Sequence, residues 1–90
     1  MNSEIYNNIC DKMYYILNLS FYLNEFNIIT EGNYIELCND LKMNKDKMDM
    51  MMKYDDNNER KTKQLIFMDN SLSDFSNELL EGLTSNFLNL

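Results

Sequence analysis

Apolar side chains are densest between residues 13 and 26, where ten of fourteen residues are aliphatic, aromatic or methionine. At about 100° per residue they point to almost every side of a helix. The polar interruptions are Asn18, Ser20, Asn24 and Glu25. A helix that is apolar on all sides has to be covered on all sides. We therefore expect it to be either the centre of a small bundle or half of an interface.

The spacing of apolar residues along the whole chain predicts three helices, at about residues 3–26, 31–53 and 60–88. A polar linker, residues 55–58, separates the last two. Few residues interrupt these helices, since the chain has no Pro and only two Gly. The predicted fold class is all-α, in a single helical domain over residues 1–90. We expect a small bundle of three helices, or four, that is completed by dimerisation or by a partner.

The first helix has good capping residues in Asn2 and Ser3. Its strongest apolar stripe should face the core. That stripe consists of Ile5, Ile9, Met13, Ile16, Ser20 and Leu23.

The second helix has a clear start signal, because Thr30 can cap it and Glu31 favours the positive end of the helix dipole. Its apolar positions keep helical spacing and include Tyr34, Leu37, Cys38, Leu41, Met48, Met51 and Met52. The stripe thins between Lys42 and Lys47, which leaves a break near Asn44 open.

The third segment has the most regular pattern, with apolar residues in alternating steps of three and four, the spacing of a coiled-coil seam. The seam consists of Leu65, Met68, Leu72, Phe75, Leu79 and Gly82. Asn70 and Ser71, followed by Asp74, could also restart a helix. Whether this segment is one helix or two stays open at the level of sequence.

Composition bears on the origin of the chain. Asn occurs fifteen times, whereas Ala, Val, Pro, His and Trp are absent and Arg60 is the sole arginine. AT-rich codons encode the abundant residue types, and GC-rich codons encode several of the missing ones. We infer an AT-rich genome: a virus or phage, an intracellular parasite or a low-GC bacterium.

The net charge of −7 is unevenly distributed. Residues 1–41 and 64–90 are acidic, whereas residues 42–63 are slightly basic with acids interleaved among the bases. A chain this acidic is not attracted to nucleic acid by its overall field. We expect a basic or an apolar protein surface as partner and no direct contact with nucleic acid.

The residues that most enzymes and metal sites need are missing or misplaced. Without histidine the chain lacks the usual general base and the commonest transition-metal ligand. The acidic run that begins at Asp55 does not fit a calcium loop, since Arg60 stands at the glycine position and Ile66 at the final glutamate position. We predict no enzymatic activity, no cofactor and no metal.

Two cysteines, Cys10 and Cys38, are too few for a disulfide-based secreted scaffold. Both lie on the apolar sides of their predicted helices, where a thiol usually fills space. The longest uninterrupted apolar run, residues 13–17, is far too short for a membrane span. We expect an intracellular protein, cytoplasmic or nuclear, with free thiols and no membrane contact.

The leading functional hypothesis is a small protein–protein interaction module or assembly subunit, acting as a homodimer or with another protein. Aromatic residues of the first helix and the methionine cluster of the second are the candidate contact residues, since flexible methionines line adaptable surfaces. The candidates are Tyr14, Tyr15, Phe21, Tyr22, Phe26, Met48, Met51 and Met52. Simple core filling also explains the methionines.

The net charge suggests an alternative from another class. An acidic inhibitor can imitate nucleic acid and block a basic groove on a host or defence protein. The acids of this chain are scattered over several predicted helices rather than concentrated, which makes it the second hypothesis.

Overall fold

Three helices make up the fold: α1 (Asn2–Glu25), α2 (Glu31–Tyr54) and α3 (Asn58–Leu88). The structure, a computed structural model, describes the backbone of residues 2–88 and the side chains of residues 2–85. Within that part of the chain there is no strand, which confirms the all-α fold class. The α2 helix runs through Asn44 without a break. Likewise α3 is one helix through Asn70 and Ser71.

The α1 helix runs antiparallel to α2 and parallel to α3. Tyr6, early in α1, donates a hydrogen bond of 2.6 Å to Asp49, late in α2. Lys12 of α1 forms an ion pair with Asp69 of α3, and Asn2 accepts a hydrogen bond from Thr62. The α1 and α3 helices pack along much of their lengths, whereas α2 and α3 touch only sparsely. The bundle is therefore organised around α1.

The turn after α1 is a Schellman motif. Asn27 adopts a left-handed conformation with φ of 59°, which asparagine tolerates better than most residues. The amide of Asn27 donates to the carbonyl of Asn24 at 3.0 Å, and the amide of Ile28 donates to that of Leu23 at 2.8 Å. The next helix begins as the sequence predicts, because Thr30 Oγ1 accepts from the amide of Asn33 at 3.1 Å.

A compact set of polar contacts forms the turn between α2 and α3. Asn57 Oδ1 accepts from the amide of Arg60 at 3.0 Å and so caps α3. The carboxylate of Asp55 accepts from the amide of Asn57 at 2.9 Å. It also accepts two hydrogen bonds from the Arg60 guanidinium, at 2.8 and 2.6 Å. Asp55 therefore joins the end of α2 to the first turn of α3.

These contacts predict a pH-dependent contribution from Asp55. The Arg60 guanidinium, helped by the amide of Asn57, lowers the pKa of Asp55 to about 2. An unfolded Asp has a pKa of about 3.9, so the stabilisation is complete above that pH and is lost as the pH falls toward 2. We expect Asp55→Asn to destabilise the protein at neutral pH and to match the wild type near pH 2, in urea titrations at each pH.

Asp56→Asn is the matched control, since it removes the same charge one residue along and leaves the Asp55–Arg60 pair in place. An Asp55→Asn effect that stayed constant between pH 7 and pH 2 would contradict the proposed role of the ion pair.

The hydrophobic core lies where α1 faces the other two helices. Its cluster of buried residues consists of Ile9, Met13, Ile16, Leu41, Met48 and Leu65. Ser20 is also completely buried, with its hydroxyl donating to the carbonyl of Ile16 at 2.6 Å. Five of the six residues of the predicted α1 stripe are buried, and Ile5 is half-buried. Five of the six predicted α3 seam residues, between Leu65 and Leu79, also face this core, and Leu65 is completely buried.

Candidate functional site

One side of α1 is covered only in part by the rest of the chain. Five aromatic side chains there are between 45% and 68% exposed: Tyr14, Tyr15, Phe21, Tyr22 and Phe26. We call this surface the α1 outer face. The expectation that α1 would be covered on all sides is not met within one chain, because α2 and α3 both pack against its opposite side. Coverage of this side of α1 by another protein stays a prediction.

The aromatic residues flank a line of acidic side chains. Glu4, Asp11 and Glu25 are exposed and follow one another at multiples of seven residues, which places them on one side of the helix. None of the three forms an ion pair within residues 2–85. The nearby base Lys12 is already paired with Asp69 at 2.5 Å. The α1 outer face is therefore both aromatic and acidic.

Aromatic contacts fix part of this surface. The ring of Phe21 lies edge-on to Tyr22, with 5.6 Å between centroids. It makes a second edge-on contact with Tyr34 of α2, at 6.4 Å. Edge-on pairs of this kind add a favourable interaction beyond the burial of their area. A partner would thus meet a Phe21 ring that already contacts two aromatic neighbours.

A second apolar surface lies between α2 and α3. Because these two helices touch only sparsely, a groove of about 520 Å³ opens between them. Met48 and Met51 line it from α2, Phe67 and Met68 line it from α3, and Met13 of α1 also lines it. We call it the α2–α3 groove.

The predicted methionine contact residues are separated by the structure. Met48 is only 1% exposed, so it belongs to the core as well as to the groove wall. Met51 is half-buried in the groove, whereas Met52 lines a different depression, beside Tyr6. Met50 points away from all of these and is 60% exposed. The α2–α3 groove therefore contains two of the three methionines.

Sequence reasoning missed the α3 side of this groove. Phe67 is 72% exposed, the highest value among the exposed large hydrophobic residues. The sequence did contain a signal for this exposure. Phe67 lies off the seam defined by Leu65, Met68 and Leu72, so it cannot face the core together with them.

A polar cluster fastens α1 to α2 beside the core. The Tyr6 hydroxyl donates to Asp49, and the Lys45 ammonium donates to the same carboxylate at 2.8 Å. The bond to Asp49, followed by desolvation, raises the pKa of Tyr6. The bond from Lys45, followed by that from Tyr6, lowers the pKa of Asp49, while Asp49 raises the pKa of Lys45. The Asp49 carboxylate stabilises the Lys45 cation and the Tyr6 proton, and both donors stabilise the carboxylate in return. The cluster therefore holds α1 and α2 together.

Both cysteines are free and half-buried. Cys10 and Cys38 line the same small cavity of about 170 Å³ between α1 and α2. The Cys38 thiol, which interacts with the Tyr34 hydroxyl, raises the pKa of Tyr34. No group of three or more potential metal-binding side chains was found among the described residues.

Compared with family models, curated proteins and solved structures, the chain matches none of them. None of the helices described is long and apolar enough to cross a bilayer.

Proposed function

We propose that this chain is a non-catalytic protein–protein interaction module that binds another protein through the α1 outer face. The observation that carries the proposal is the exposure of five aromatic side chains, four on α1 and Phe26 directly after it. Aromatic residues are enriched in the centres of protein interfaces, where they supply much of the binding energy. The proposal includes the role of a small subunit in a larger assembly.

The charges on the α1 outer face indicate which side chains the partner would present to it. Glu4, Asp11 and Glu25 lie between the exposed rings, and they have no base of their own to pair with in the part of the chain described. Arginine or lysine side chains on the partner would meet both carboxylates and ring faces. We therefore propose a partner surface that combines apolar and basic residues.

This charge pattern favours a different protein over a second copy. A two-fold symmetric dimer buries the same patch on both subunits. Two α1 outer faces would then bring acids against acids, which opposes association at low salt. We expect sedimentation equilibrium at low salt to show a monomer, and a stable dimer there would contradict this choice of partner.

Replacing Tyr15 and Tyr22 by Ser tests the proposed face. We expect this double variant to keep the wild-type circular dichroism spectrum and to lose at least about tenfold in affinity for the partner. The partner would be captured from the native cells by a photo-cross-linking residue placed at position 18. Affinity would then be measured with the purified partner.

Ile66→Ser together with Leu80→Ser is the control, since these α3 residues are similarly exposed, at 46% and 41%. Equal affinity of the wild type and the tyrosine variant for the purified partner would overturn the proposal.

Unpaired acids on the α1 outer face favour a second candidate function, an acidic inhibitor that imitates nucleic acid. At a rise of about 1.5 Å per residue, seven residues separate Glu4 from Asp11 by about 10.5 Å along the helix, whereas DNA carries a charge every 3.4 Å or so per strand. The acids are therefore sparse for a mimic. Neutralising Glu4, Asp11 and Glu25 should abolish the binding of a mimic, and Tyr15→Ser with Tyr22→Ser should not.

A further inference from the structure

The arrangement of the helices leaves one position of a four-helix bundle open. The α1 helix packs against both other helices, while α2 and α3 touch each other only sparsely. A side chain of α1, Met13, reaches the bottom of the groove between them. This is the geometry of a bundle in which α2 and α3 flank α1 and the position opposite α1 is empty.

The α2–α3 groove continues beyond its widest part. A smaller depression of about 230 Å³ extends it toward the start of α2, and the two parts share Asn44 and Leu72. From Asn33 to Met51 the combined groove follows α2 for about 27 Å, at about 1.5 Å per residue. An open, elongated groove of this length accommodates a helix of about 18 residues.

The two ends of the groove carry opposite charges. Lys47 and Lys63 line the larger part, which we call the basic half. Glu36 and Asp40 line the smaller part, which we call the acidic half. Lys63 has only a loose, exposed contact of 3.4 Å with Glu59, and the other three form no ion pair within residues 2–85. A partner can therefore neutralise both halves.

We propose that the α2–α3 groove binds an amphipathic helix of a different protein. The helix would carry an apolar stripe for Met51, Phe67 and Met68, acids near the basic half, and bases near the acidic half. This proposal rests on the proposed function, since it names a second contact surface of the same interaction module. Helix-in-groove binding to methionine-rich surfaces is a common recognition mode.

Charge also argues against a second copy as the occupant. A symmetric dimer that filled both grooves with the same helix would need a two-fold axis along the bundle, so that two α2 or two α3 helices lay side by side and parallel. The acidic half would then face an acidic half and the basic half a basic half. A foreign helix with complementary ends avoids this repulsion.

The test uses a synthetic helical peptide of about 18 residues, since that length matches the groove. It has leucines at steps of three and four, two glutamates at one end and two lysines at the other. We expect it to shift the methyl NMR signals of Met51 and Met68 and to leave those of Met43 and Met50 unchanged. A spin label at the glutamate end should broaden Met51 and Met68, and a label at the lysine end should not.

Charge-reversal variants of the groove test which end of the peptide lies against the basic half. Lys47→Glu with Lys63→Glu should weaken peptide binding at least about tenfold, and a peptide with lysines at both ends should restore it. Lys42→Glu with Lys53→Glu makes the same change in net charge away from the groove and should have little effect.

Three results would overturn the groove proposal. In the first, the methyl signals of Met51 and Met68 do not shift at millimolar peptide. In the second, the same signals shift without peptide as the protein self-associates. In the third, the groove binds a fatty acid more tightly than the peptide. Because the peptide experiments do not involve the α1 outer face, the groove proposal can fail while the proposed function stands. The variant with Tyr15→Ser and Tyr22→Ser should bind the peptide with wild-type affinity, which distinguishes the groove proposal from the proposed function of the α1 outer face.

Discussion

Leu65→Ala is expected to lower the free energy of unfolding by about 2–5 kcal/mol, the usual range for emptying a buried leucine site. Leu65 is completely buried and belongs to the central cluster with Ile9, Ile16 and Met48. A domain of this size has a total stability of roughly 5–13 kcal/mol. The substitution would therefore remove a large part of that stability and could leave the chain unfolded at 37 °C.

The adjacent residue provides the control for this prediction. Ile66 is 46% exposed, so Ile66→Ala should change the stability by less than about 1 kcal/mol. Urea denaturation followed by circular dichroism at 222 nm measures both variants. Similar effects of the two substitutions would show that Leu65 is not at the centre of the core and would contradict the packing of α3 on α1.

The helices could be predicted closely because their signals are local. Thr30 caps α2, and the apolar stripes of α1 and α3 contain the buried residues Ile16 and Leu65. The question of one helix or two in the third segment needed the structure. Ser73 there donates to the carbonyl of Asp69 at 3.0 Å, so the hydroxyl of a residue type that is favoured at helix N-caps and turns is hydrogen-bonded inside this helix.

The division of α1 into a covered and an exposed side could be predicted only in part from the sequence. Asn18 and Glu25 were recognisable as one polar side, and they do lie on the α1 outer face. Ser20 gave two opposed signals, because a serine is usually exposed but its position in the apolar stripe predicts burial. The structure follows the stripe and buries Ser20 completely. In a helix that is apolar nearly all round, the placement of α2 and α3 decides which rings stay outside.

The α2–α3 groove could not be predicted from any local pattern. It exists because α2 and α3 are held apart by their separate contacts with α1, and this spacing is a property of the assembled bundle. The methionine cluster lies in the region of α2 that lines the groove. It did not show that Met51 and Met52 line different depressions, or that Phe67 completes the groove from α3.

Enlarging Ser20 should have the second large effect on stability. Ser20 lies in the α1 stripe that faces the core, with no exposed surface. Its hydroxyl donates a hydrogen bond inside its own helix, to the carbonyl of Ile16. Leucine at this position has to push neighbouring helices apart, so we expect Ser20→Leu to lower the free energy of unfolding by about 1–3 kcal/mol.

Ser20→Ala separates the loss of space from the loss of the hydroxyl. Alanine removes both the hydroxyl and its intrahelical bond, and its higher helix propensity offsets this by roughly 0.5 kcal/mol. We therefore expect Ser20→Ala to remain within about 0.5 kcal/mol of the wild type in urea denaturation. If Ser20→Leu proved as stable as Ser20→Ala, there would be room beside this residue, and the small side chain would not be what allows the helices to pack closely around α1.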